Sequence, residues 1–180
     1  MSQYRYSPLS PGHASIRLLR LMPHEDKAAD IQCELFEYSL KNSCNKVHLY
    51  EALSYVWGNP ESTRPLFIHN HSFDVTVNLH AALSYLRNHS MERILWIDAI
   101  CIDQANREEK EHQIQFMAKI YGQAHRVVIW LGEVADDSDL ALEAIRVAGS
   151  KKSKHSSDRE RIQPAVLALL QRPWFQRIWV

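Results

Sequence analysis

ILWIDAICI (Ile94–Ile102) is the most apolar run in the chain, interrupted only by Asp98, and reads as a strand covered on both faces at the centre of a sheet. Beyond Ile102 the hydrophobic period changes. Asn106 with Glu109 three residues on has the form of a capping box, and Ile114, Met117, Ala118 and Tyr121 repeat a helical stripe. RVVIWL (Arg126–Leu131) is a second buried strand closed by Gly132, and Ser138 opens a helix with Leu140, Ala141, Ala144, Ile145 and Ala148 on one face. Strand, helix, strand, helix predicts right-handed βαβ units and a mainly parallel sheet flanked by helices.

Outward from that centre, Tyr50–Trp57 (YEALSYVW) is a buried strand entering the loop Gly58-Asn59-Pro60, and Asn78 caps a short helix carrying Leu79, Ala82, Leu83 and Leu86. Ile16–Leu21 and Ile31–Leu40 form an N-terminal β-hairpin, and residues 65–69 and 72–77 a second hairpin around Asn70-His71. These hairpins extend the sheet. GSKKSKHSSDRE (Gly149–Glu160) lacks apolar residues and reads as a mobile surface loop, and Arg161–Leu170 as a last helix. Residues 1–15 are expected to be a flexible N-terminus, with one domain from 16 to 180.

The 180 residues carry 21 Lys+Arg against 21 Asp+Glu, so charge provides no pull toward nucleic acid or anionic lipid. With no run of about 18 apolar residues and no signal-peptide pattern, no membrane span is expected and the assigned location is cytoplasmic. Three cysteines do not make a disulfide framework. Cys33, Cys44 and His48 are the nearest approach to a metal set, but they lack ligand spacing, so no metal is assigned.

In a parallel sheet ligands collect at the carboxyl ends of the strands, here the loops starting near Trp57-Gly58, Asp103-Gln104 and Gly132-Glu133. Asp98 inside an apolar run must be paired, hydrogen-bonded, protonated or at the strand's end. It and Asp103 can bind Mg²⁺ or do acid–base work; alternatively Asp98 accepts backbone, Tyr or Trp donors and Asp103 caps the next helix. Cys101 lies inside the strand pattern and reads as packing. Tyr55, Trp57, Trp96 and Trp130 are either a stacking floor for a base or sheet-to-helix packing. Arg172, Trp174, Arg177 and Trp179 read as a packed C-terminal staple. The five glycines make no GxGxxG or P-loop, so no resident nucleotide cofactor is assigned.

Taken together, YEALSYVWG (Tyr50–Gly58), LWIDAICIDQANREEKEHQ (Leu95–Gln113), MAKIYGQA (Met117–Ala124), RVVIWLG (Arg126–Gly132) and RPWFQRIWV (Arg172–Val180), in that order, resemble the fungal heterokaryon incompatibility (HET) domain. The resemblance implies an effector of non-self recognition that triggers growth arrest or programmed cell death, and a distant kinship to TIR domains, hence a flavodoxin-like fold. Some TIR domains cleave NAD with a helix-borne glutamate. By that resemblance Glu143 or Asp98 would be the catalytic carboxylate, NAD a substrate rather than a cofactor, and Ser54, Tyr55, Trp57, Gly58, Asp103 and Gln104 would line the site. The chain lacks the Gln-Glu stretch that HET domains carry after their last motif, and so resembles a domain cut short. Two classes of reading stand beside each other: an NAD-consuming hydrolase, and a non-enzymatic module acting through homo-oligomers or other HET or signalling domains.

Overall fold

The computed structural model describes residues 2–10, 14–41, 48–149 and 159–177, which fall into two compact units divided after Trp130. In the first, a seven-stranded sheet is built from β1 (Ser15–Leu21), β2 (Gln32–Ser39), β3 (His48–Tyr55), β4 (Thr63–Ile68), β5 (His71–Thr76), β6 (Arg93–Trp96) and β7 (Ala124–Trp130), in the order β5-β4-β2-β1-β6-β3-β7. The mainly parallel sheet expected from the sequence is corrected to a mixed one. β2/β4, β3/β6 and β3/β7 run parallel, whereas β1/β2, β1/β6 and β4/β5 run antiparallel. The hairpin β1–β2 does not decorate an edge. β1 sits in the middle of the sheet, which explains why Ile16, Leu18, Leu19 and Leu21 are all buried rather than alternately so.

The second hairpin turns one residue earlier than expected. His69 and Asn70 take positive φ of 49° and 65° between Ile68 and its partner His71, the geometry of a two-residue hairpin turn. Helix α1 (Val77–Leu86) buries the predicted Leu79, Ala82, Leu83 and Leu86. Its cap is Thr76, whose hydroxyl accepts from the Leu79 amide at 3.4 Å, and not Asn78. Asn78 is thereby left inside the first turn with its amide available for other work.

The largest departure lies in Ile94–Ile102. The strand stops at Trp96 and a one-turn helix, α2 (Asp98–Cys101), succeeds it. Asp98 Oδ1 accepts from the Ala99 amide at 2.8 Å, and the Cys101 amide donates to the Ile97 carbonyl at 2.7 Å. A short carboxylate side chain competes with a sheet ladder for nearby backbone amides, and here it wins. The turn still buries Ile100, Cys101 and Ile102, so the apolar signal was real while the period was not strand-like.

Helix α3 (Arg107–Gln123) begins as predicted, with Asn106 Oδ1 accepting from the Glu109 amide at 3.1 Å. It covers the sheet through Ile120, Phe116, Met117 and Tyr121. The second unit contains α4 (Ser138–Gly149) and α5 (Arg159–Leu170), which meet through Ala141, Ala165 and Leu169, with Leu131 and Val166 packed against them. Arg172 donates to the Leu131 carbonyl at 3.1 Å and to the Ala135 carbonyl at 3.0 Å, a staple within that unit as the sequence suggests. Trp179 and the Ser/Lys-rich residues 150–158 lie outside the described residues. Among the described residues, no helix is long and apolar enough to cross a membrane.

Candidate functional site

Strands β6, β3 and β7 form the three-stranded parallel block, and their carboxyl ends point to one edge of the sheet. Tyr55 ends β3 and is buried; two residues later Trp57 emerges with 40% of its surface exposed. The Trp57 indole N–H donates to Asp98 Oδ2 at 3.0 Å. Asp98 is half-buried at the start of α2, directly after β6. Burial, and then the charge of the nearby Asp98 carboxylate, push the ionisation of the Tyr55 phenol far above the usual range, so it remains neutral. Gln104 anchors the same turn from below, its Nε2 donating to the Asp98 carbonyl at 2.8 Å.

Gly58 stands beside this cluster at φ +81°, a conformation in which any side chain is strained, and a Cβ there would lie 3.4 Å from Asn78 Cβ. Asn78 is the site residue that sequence reasoning missed. Its Nδ2 donates to the Val56 carbonyl at 2.5 Å while its Oδ1 accepts from the Trp130 indole at 3.0 Å, which ties the β3 loop, α1 and the end of β7 together. An asparagine two positions beyond a helix cap looks like a cap in sequence, and nothing local distinguishes the two. Trp130 packs against Tyr85 with ring centroids 5.5 Å apart, whereas Trp96 is fully buried against Tyr121. Of the four aromatics read as a stacking floor, only Trp57 therefore presents a large open surface at this edge.

The other expected residues are placed elsewhere. Strand alternation puts Ser54 on the opposite face of β3 from Tyr55. Asp103 does not cap α3, whose cap is Asn106: its Oδ1 accepts from the Ala105 amide at 3.1 Å in the turn before the helix, and its own amide donates to Glu109 Oε1 at 2.9 Å. Glu143 belongs to the second unit. It is exposed on α4 in a two-pronged pair with Arg146 at 2.6 and 2.7 Å, which holds its carboxyl below the ordinary range. Cys101 and Cys33 are buried thiols each pushed up to about 12 by desolvation, which leaves them unreactive. Among the described residues no three His, Cys, Asp or Glu side chains gather as a metal set; Cys44 lies outside them, and His48 is buried against Tyr38.

A further ionic feature was not legible in advance. Arg17 of β1 forms a bidentate pair with Glu109 of α3 at 2.5 and 3.0 Å, their side chains only 5% and 10% exposed. Glu109 thus serves Arg17 and the Asp103 amide rather than completing a reciprocal capping box. A second buried carboxylate, Glu51 of β3, takes Arg93 at 2.5 Å and also Arg126.

Residues 50–180 match the model of the family described as heterokaryon incompatibility protein (HET). This chain belongs to the HET domain family. It is also similar to "Heterokaryon incompatibility protein 6, OR allele" of Neurospora crassa, with 30% identity across 95% of the chain, and it spans 32% of that protein's length. No solved structure matches it. The family match begins at Tyr50, so the edge formed by Tyr55, Trp57, Gly58, Asn78, Asp98, Gln104 and Trp130 lies wholly inside the HET segment, and β1 and β2 precede it.

Proposed function

We propose that this HET domain is an effector of fungal heterokaryon incompatibility that brings about growth arrest or cell death by hydrolysing NAD at the edge of the β6-β3-β7 block. The name of the Neurospora relative supports the biological role. The observation that carries the chemical reading is the Asp98 carboxylate, held by the Trp57 indole at 3.0 Å beside that ring's exposed face. Before any substrate arrives the carboxylate is fixed in place by the indole bond. Its suitable role is electrostatic: to stabilise positive charge on the ribose as the C1′–N1 bond breaks and the electron pair departs with nicotinamide. Water then adds at C1′ and releases its proton to solvent, giving ADP-ribose. Trp57 supplies a surface on which a base or nicotinamide ring stacks. The TIR-like kinship enters at this point as an analogy, with Asp98 in place of the helix-borne glutamate.

The test is nicotinamide release from NAD by the purified chain, with Asp98→Asn, Trp57→Ala and Glu143→Gln alongside. Release that is lost in the first two and kept in the third supports the reading. Release that depends on Glu143, or none from the folded chain, defeats it.

One observation favours a second reading, action by assembly. β7 ends the sheet and exposes Val127 and Ile129 by 45% and 47%, the kind of edge that templates pairing with another chain. That reading expects concentration-dependent oligomers abolished by Val127→Lys, and growth arrest insensitive to Asp98→Asn.

A further inference from the structure

We infer that Tyr6 and Arg17 are positioning residues for the Asp98 carboxylate, acting through the carbonyl end of α2. The inference rests on Asp98 being the functional carboxylate, and it extends the site to a part of the chain that precedes the HET match. A four-residue helix cannot hold itself, because the nucleating turn fixes several residues for one or two bonds. Its last carbonyls have no partners within the helix. Here three of its four carbonyls receive side-chain donors from outside the helix, two of them from distant segments. Gln104 Nε2 reaches the Asp98 carbonyl at 2.8 Å, the Tyr6 hydroxyl reaches the Ile100 carbonyl at 2.8 Å, and an Arg17 guanidinium nitrogen reaches the Cys101 carbonyl at 3.3 Å.

Tyr6 and Arg17 also hold each other. The guanidinium carbon lies 5.0 Å over the Tyr6 ring, and its second nitrogen donates to the Ser7 carbonyl at 2.7 Å. The segment that carries Tyr6 is docked independently along β5, where the Tyr4 amide donates to the Ser72 carbonyl at 3.0 Å and the Ser72 amide to the Ser2 carbonyl at 3.1 Å. Tyr4 and Tyr6 both lie edge-on to Phe73. Burial raises the Tyr6 phenol well above its ordinary range, so it donates at every working pH. The residues form a chain of contacts from β5 through Tyr6 and Arg17 to α2, and then from Asp98 to the Trp57 indole.

The experiment uses the full chain labelled with ¹⁵N. The indole N–H resonance of Trp57 reports the bond to Asp98, Asp98→Ala shows what its loss looks like, and the Trp130 indole, bound to Asn78, is an internal control. Tyr6→Phe removes one hydroxyl from the protein. It should move the Trp57 resonance toward its Asp98→Ala position, leave Trp130 in place, and speed exchange of the Cys101 and Ile102 amides about five- to tenfold relative to β3. Arg17→Lys, which retains charge but not the forked geometry, should act in the same direction. A Trp57 resonance unmoved by Tyr6→Phe, or Trp57 and Trp130 moving together with faster exchange throughout the sheet, overturns the inference. None of these readouts requires NAD cleavage, so a chain that releases no nicotinamide defeats the proposed reaction while the positioning role is decided separately.

Discussion

Glu109→Gln isolates the buried ion pair with little change of shape. In the folded protein both carboxylate oxygens face Arg17 nitrogens, at 2.5 and 3.0 Å, and one oxygen also accepts the Asp103 amide. A glutamine keeps one acceptor but turns an NH₂ toward a guanidinium that itself only donates, and it leaves the buried Arg17 cation without its anion. Removing one member of such a pair costs about 3–5 kcal/mol, and the retained acceptor argues for the lower end, about 3 kcal/mol. That is a large share of a domain's total of about 5–15 kcal/mol, so the variant folds but is clearly weakened.

The same pair determines the acid limb. Burial works against ionisation of Glu109, yet the Arg17 hydrogen bonds, the Asp103 amide and the Arg17 charge outweigh it and hold the carboxyl below its usual range. Its contribution is therefore fully present above the unfolded carboxyl value of about 4.3 and is lost as pH falls through the lower, folded one. Urea unfolding by tryptophan fluorescence, in a Trp174→Phe, Trp179→Phe background so that Trp57, Trp96 and Trp130 report the first unit, measures the difference. We expect about 3 kcal/mol at neutral pH, narrowing as the wild type is acidified toward pH ~2. A difference under about 1 kcal/mol, or curves that stay parallel through the acid range, would refute the argument.

Gly58→Ala should cost about 1–2 kcal/mol, because φ +81° is strained for any side chain and the new Cβ meets Asn78, and urea midpoints would register it. Leu83→Ala empties a fully buried site between α1 and the sheet and should cost about 3 kcal/mol by the same assay. Arg87→Met leaves the carbonyls of Asp26, Lys27, Ala29 and Asp30 without their guanidinium donors; faster exchange and proteolysis in residues 24–31 would check it, with about 3 kcal/mol lost overall. Glu143→Gln should leave the unfolding midpoint where it was, since both partners of its pair lie on the surface of α4.

The helices were legible because their signals are local. Asn106 really caps α3, and the spacing of Leu79, Ala82, Leu83 and Leu86 really marks the buried face of α1. Sheet order was not, because the pairing of β1 with β6 joins residues more than 70 positions apart, and a hairpin that extends an edge has the same pattern as one whose second partner is a distant strand. The Ile94–Ile102 run failed for a different reason: a strand and a buried turn need the same apolar residues, and the choice rested on one carboxylate taking the next amide.

The exceptions within apolar runs are the most informative. Arg17, the buried one of two arginines in IRLLRL, Glu51 in YEALSYVW and Asp98 in ILWIDAICI each place a charge where burial would be costly. Each proves to be met by donors or acceptors from distant segments: Glu109 for Arg17, Arg93 and Arg126 for Glu51, Trp57 for Asp98. A buried charge in such a run therefore implies a long-range partner but not its identity. The three differ in one respect that bears on function. Arg17 and Glu51 meet side chains of opposite charge, whereas Asp98 accepts from the indole of a tryptophan that is 40% exposed. Asp98 thus sits beside an exposed aromatic face where ligands of a parallel block collect, which is why the tests of function centre on it.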